Sequence, residues 1–192
     1  MPTSDVARTR PGGRVEQVLD GLIEIFLDEG FAHLGVADMA QRLSCSKSTL
    51  YALAPSKEQI VTRAVRHFFR TATERVEASA AEARTDEDRL LGYLRAIAEE
   101  LTPAGRAFIR DVEGFGPARE IYRRNTEAAA DRVRELVESA LPATSTTDPH
   151  FVGAVAAVVM EAIQRGAIQQ STGLDHAEAY AALGDLLARS RD

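Results

Sequence analysis

Apolar residues at Val15, Val18, Leu19, Leu22, Ile23, Phe26 and Leu27 recur every three or four positions, and the same spacing returns in almost every later segment of the chain. That period matches one face of an α-helix and no half-buried strand. A chain patterned this way throughout has only helix faces to bury against one another, so the fold class is all-α. Local signals divide it. Gly30 stops the first helix, a second runs from Val36 to Leu43, and a short third runs from Ser46 to Leu53. Ser56 with Gln59 opens a long fourth helix carrying Ile60, Val61, Ala64, Val65, Phe68, Phe69 and Ala72 on its apolar face. Thr85 with Asp88 starts another, ended by Pro103; further segments run from Ala104 to Glu113 and, after a break at "GFGP", from Pro117 to Leu141. "PATSTTDP" is turn chemistry, with Asp148 capping and Pro149 opening a helix to Ser171. Asp175 with Glu178 begins the last helix, giving about nine in all.

Composition narrows the classes. The chain has 192 residues, 45% hydrophobic and 27% charged, enough for one large core or two modest ones. The N-terminal stretch has no apolar leader, and the longest apolar run, 151–160, falls far short of the roughly 20 residues of a membrane span. One cysteine, Cys45, excludes an internal disulfide, and a cytoplasmic location is expected. The four histidines are scattered and no glycine-rich phosphate loop or metal-ligand spacing occurs, so no enzyme, metal or cofactor is expected.

The order of lengths at the front points to chemistry. A full helix, a short helix, a tight turn at "LSCS" and a second short helix are the parts of a helix-turn-helix, in which one helix braces on the DNA backbone while the next enters the major groove. Cys45 and Leu50 face the core of that unit, leaving Lys47, Ser48, Thr49, Tyr51 and Ala52 outward: small, hydroxylated and basic. Residues 1–66 hold eight basic and eight acidic groups, so the unit carries no overall basic charge. Between Asp38 and Glu58, however, no acid occurs, while Arg42, Lys47 and Lys57 do. Lys47 and Lys57 are the only lysines of the chain, and a compact ammonium suits a phosphate contact.

These residues carry a resemblance. With "FLDEGF", "VADMAQRLSCSKSTLY" and "PSKEQI", positions 15–65 resemble the DNA-binding domain of the TetR/AcrR family of transcriptional regulators. The resemblance covers about a quarter of the chain; the rest is similar only as an all-helical segment of suitable length. It implies a flexible arm over 1–13, a helix-turn-helix domain over 14–58 and a helical ligand-binding and dimerisation domain over 59–192. By it, Lys47, Thr49 and Tyr51 are DNA contacts of the recognition helix and Lys57 a phosphate contact; Arg42, Ser46 and Ser48 complete the expected DNA-facing set. Three positions depart from the family: Ser44 stands where it usually has Gly, Ala52 where it has an aromatic residue or His, and Ala54 where it has Phe.

The expected function is a homodimeric, ligand-responsive regulator of a palindromic double-stranded operator, a repressor released by its effector. An all-helical protein-binding adaptor is the alternative. Helices four to seven supply the aromatic and aliphatic side chains expected to line a site for a small, mostly apolar effector: Phe68, Phe69, Tyr93, Ile97, Phe108, Val112, Phe115 and Tyr122. The helix from Pro149 is apolar on more than one face, so it and the last helix are expected to pair with their twins in a four-helix interface through Phe151, Val155, Val158, Val159, Ile163, Leu183 and Leu187.

Overall fold

Local capping chemistry sets most of the helix boundaries. The structure, a computed structural model, describes residues 11–140 and 148–189. Within them lie α1 (Pro11–Glu29), α2 (Val36–Arg42), α3 (Lys47–Tyr51), α4 (Lys57–Ala81) and α5 (Asp86–Leu101). These are followed by α6 (Arg106–Gly114), α7 (Gly116–Ala140), α8 (Pro149–Gln164), α9 (Ala167–Thr172) and α10 (His176–Arg189). Residues 1–10 of the expected arm, with Arg8 and Arg10, and most of the turn at 142–149 lie outside the described residues.

The expected caps form. Ser46 Oγ accepts the Thr49 amide at 3.1 Å, Ser56 Oγ the Gln59 amide at 3.2 Å, and Thr85 Oγ1 the Asp88 amide at 3.0 Å. Asp175 and Glu178 exchange reciprocal bonds of 2.9 Å at the start of α10, satisfying two backbone donors at once. The largest departure from the sequence reading is a break inside one expected helix. The helix expected to run unbroken from Pro149 to Ser171 ends at Gln164, because Gly166 takes φ +72° and donates its amide back to Ile163. A left-handed glycine ends the α-helical ladder, and α9 restarts as a separate short helix. The helices therefore number ten among the described residues.

Two cores organise the packing. The first joins Leu22 and Phe26 of α1, Met39 and Ala40 of α2, Leu50 of α3, the first half of α4, Phe108 and Val112 of α6, and Ala118 and Tyr122 of α7. The second gathers the end of α4, α5, the rest of α7, α8 and α10 around Leu94, Val133, Met160 and Leu183. α4 is long enough to belong to both, and α6 buries its apolar face in the first. The helix-turn-helix thus shares its interior with the helices behind it.

The turn between α2 and α3 carries backbone strain at one residue. Ser44 has φ +50°, the one positive φ of a non-glycine residue among those described. Its side chain is exposed, so nothing but backbone conformation is at stake. Ser44→Gly is expected to stabilise the protein by about 0.5–1 kcal/mol, the left-handed penalty less the added chain entropy of glycine. Thermal unfolding should show a rise of about 2 °C.

A candidate nucleic-acid interface and the cavity behind it

α3 is a five-residue helix anchored on one side and open on the other. Leu50 is fully buried in the first core, and Cys45 packs against that core just before the helix. The opposite face presents Lys47, Ser48, Tyr51 and Ala52, with Thr49 half-buried at its edge. Tyr51 is 50% exposed. Ser46 spends its hydroxyl on the cap and also meets the Ser48 and Thr49 hydroxyls at 2.7 and 2.9 Å, so these three side chains form one small hydroxyl cluster. Lys47 is exposed, and among the described residues no ion pair or side-chain hydrogen bond engages its ammonium.

The other expected contacts are held. Arg42 pairs with Glu29 of α1, so its guanidinium turns toward that helix. Lys57 Nζ donates to the Ala32 carbonyl at 2.9 Å, which ties the start of α4 to the α1–α2 loop while leaving two ammonium protons free. Of the acids that flank α3 in sequence, Asp38 accepts the Gly35 amide at the α2 cap and Glu29 pairs with Arg42.

Several positioning residues escaped the sequence reading. Arg63 of α4 donates to the Leu53 carbonyl at 2.6 Å and so ties the turn after α3 to α4. His67 of α4 meets Asp20 of α1 at 2.6 Å. Asp111 of α6 is buried, and its Oδ2 accepts the amides of both Phe31 and Ala32 at 2.7 Å, reaching across about 80 residues of sequence. Gly30, at φ +81°, makes this approach possible, since a Cβ there would lie 2.4 Å from Asp111 Oδ2. The signal for Asp111 and His67 was available: each interrupts an otherwise apolar helix face.

Behind this unit a cavity of about 40 Å³ lies between α4, α5, α7 and α10. Five of the eight expected effector residues line it: Phe68, Phe69, Tyr93, Ile97 and Tyr122. The other three do not. Phe108 and Val112 are fully buried in the first core, where α6 packs on α1 and α4, and Phe115 borders a separate groove beside Phe31 and Lys57. Sequence reasoning missed the rest of the wall, including Val76, Glu100, Thr126 and Tyr180. The Tyr122 hydroxyl, Thr126 Oγ1 and His176 Nε2 are buried with no hydrogen-bond partner among the described residues. Burial pushes the Tyr122 and Tyr180 phenols well above the usual range, so both remain protonated donors, and it holds the His176 imidazole below its usual value.

Aromatic contacts run without a gap from this cavity to the α1–α2 loop. Tyr122 stacks on Phe69 with ring centroids 5.1 Å apart, Phe69 meets Phe68 at 5.0 Å, Phe68 meets Phe108 at 5.6 Å, and Phe108 meets Phe31 at 6.3 Å. Phe31 is the residue whose amide Asp111 holds.

At the far end, α8 and α10 expose an apolar face. Phe151 is 66% exposed, Val158 65% and Leu186 59%, with Val155 beside them. Ile163, Leu183 and Leu187, expected at the interface, turn inward and are buried in the second core; Val159 is half-buried against it. The exposed stripe is one helix face away from theirs.

No protein-family model matches the chain, and no curated protein matches it. Solved structures do. A TetR transcription regulator from Haloarcula marismortui aligns over 94% of this chain and 97% of its own, with a TM-score of 0.70 at 13% identity. A protein described as a transcriptional regulator from Saccharomonospora viridis, solved in complex with choline, aligns over 93% and 97%, with a TM-score of 0.68 at 14% identity. A fatty acid degradation regulator from Bacillus halodurans aligns over 93% and 96%, with a TM-score of 0.63 at 12% identity. The chain has the fold of the TetR/AcrR transcriptional regulators along nearly its whole length.

Proposed function

We propose that this protein is a homodimeric DNA-binding transcriptional regulator, a repressor whose hold on a palindromic operator is released by a small, mostly apolar effector. The observation that carries the reading is the outward face of α3: a buried Leu50 behind, Lys47, Thr49 and Tyr51 in front, in a stretch with no acid between Asp38 and Glu58. In this reading residues 14–58 touch DNA, with Lys47 on a phosphate, Lys57 at the edge of the same surface, and residues 59–192 sense the effector and dimerise. Two recognition helices then reach half-sites about 34–36 Å apart.

Release follows from how α4 is shared. Phe68 and Phe69 of α4 line the cavity, while Lys57, Ile60 and Arg63 of the same helix hold the α1–α2 loop, the first core and the turn after α3. A cavity of about 40 Å³ has room for a few waters and is well below the ~150 Å³ that admits benzene. An effector therefore binds an opened arrangement in preference to this one, and it shifts the population toward helix positions that no longer match the operator. The aromatic contacts from Tyr122 to Phe31 are the physical connection for that shift.

The test is binding to duplex DNA selected from a random pool, measured by fluorescence anisotropy over a range of salt. The logarithm of the affinity should fall steeply and linearly with the logarithm of salt concentration. Lys47→Ala should weaken binding to all sequences alike and flatten the logarithmic slope by about 1.8, one released counterion for each protomer of the dimer. Thr49→Ala should instead change which sequences are selected. No salt-dependent DNA binding would favour the protein-binding adaptor.

A further inference from the structure

We infer that the cavity is built for an uncharged molecule: a small apolar body bearing one hydroxyl or carboxamide group, held by the hydroxyls of Tyr122 and Thr126. The assignment rests on the effector reading above and narrows it to a ligand chemistry.

The first ground is the pair of unsatisfied hydroxyls. Tyr122 is 2% exposed and Thr126 almost as deeply buried, and neither hydroxyl has a partner among the described residues. They lie four residues apart on α7 and so stand on one face of it, where both border the cavity. The Tyr180 phenol lies beside Thr126 without completing that hydroxyl's bonding. Buried polar groups are ordinarily paired, and two unpaired hydroxyls on one wall call for a guest that supplies an acceptor and a donor. A hydroxyl or carboxamide does both.

The second ground is charge. Glu100 is the one carboxylate on the lining, and Arg75 engages it through two bonds of 2.6 and 2.5 Å. A cationic guest would have to displace Arg75, and an anionic guest would meet Glu100 with no spare cation on the wall. Burying an ion without a partner is far more unfavourable than burying a neutral hydrogen-bonding group. The third ground is shape. The stacked Phe69 and Tyr122 rings, with Val76 and Ile97 nearby, offer flat and aliphatic surface to a compact body.

A matched series tests this: toluene, benzyl alcohol, benzamide, benzoate and benzyltrimethylammonium, titrated calorimetrically into the full-length protein. Benzyl alcohol and benzamide should bind about three- to tenfold more tightly than toluene, the worth of one net hydrogen bond, and the two ions should not saturate. Tyr122→Phe should bring benzyl alcohol down to the affinity of toluene. The same variant without ligand should unfold at or above the wild-type temperature, since it removes an unpaired buried hydroxyl; should it fail to fold, Thr126→Val makes the same comparison. Tighter binding of benzoate or benzyltrimethylammonium, or an unchanged alcohol-to-toluene ratio in the variant, would overturn the polar anchor while leaving the cavity as an effector site. Saturable binding by none of the five would overturn the effector site itself.

Discussion

Asp111→Ala is expected to destabilise the protein by about 3 kcal/mol and, on the proposed function, to loosen its grip on DNA without altering any residue of the outward face of α3. The carboxylate accepts two backbone amides that close the α1–α2 loop, at 2.7 Å each. Phe31 is buried, so its amide finds no water when the carboxylate is lost. Charge-assisted bonds of this kind are among the stronger ones, and each buried donor left unpaired costs about 1–3 kcal/mol. Urea unfolding monitored by circular dichroism measures the first effect, and anisotropy on the selected DNA measures the second. Asp111→Asn keeps one acceptor oxygen and should fall between wild type and Ala. Gly30→Ala should act in the same direction from the other partner, because its methyl would collide with Asp111 Oδ2 at a backbone angle that only glycine adopts readily. A wild-type midpoint for Asp111→Ala would show that the contact between α6 and the loop contributes nothing to the fold.

If the proposed homodimer forms through α8 and α10, Val158→Glu is expected to give a folded monomer that binds the proposed operator about two to three orders of magnitude more weakly than the wild type. Val158 is largely exposed in the single chain, so the substitution disturbs no intrachain packing. Within a pair of α8 and α10 helices facing their twins, the same carboxylate would lie buried without a counterion. Loss of the partner removes the second recognition helix, and with it the 10²–10⁴-fold gain of two linked contacts. Sedimentation velocity should report a species near the chain's 20.8 kDa, with an unchanged helical spectrum. A persistent dimer would place the interface elsewhere on the surface. Leu186→Glu, on the exposed side of α10, is the matching change, whereas Leu183→Glu should unfold the second core instead.

The contrast between Leu183 and Leu186 shows where sequence patterning stopped. Periodicity identifies α8 and α10 as helices apolar on more than one side. It does not say which of two apolar faces meets the chain's own core and which is left for a partner. That choice depends on the angle at which each helix lies on its neighbours. The aromatic set behaved the same way. Phe68, Phe69, Tyr93, Ile97 and Tyr122 gather around the cavity, yet Phe108 and Val112, no different in type, fill the first core because α6 rotates them toward α1 and α4.

Local rules fared best where a few adjacent residues contain the whole cause. Ser46, Ser56, Thr85 and Asp175 each satisfy an orphaned amide within three residues, so the starts of α3, α4, α5 and α10 were written in the sequence. The inward Leu50 and outward Lys47 of α3 follow from the helical repeat alone, and so did the all-helical class. What tertiary structure alone decided are the contacts made across long separations: Asp111 on the Phe31 and Ala32 amides, Arg63 on the Leu53 carbonyl, and Thr126 and Tyr180 on the cavity wall. A periodic pattern records which side of a helix is dry. Only the packed arrangement of helices decides which other residue stands on the far side of that dry face, because the pairing energy depends on distances in space that the order of residues along the chain does not contain.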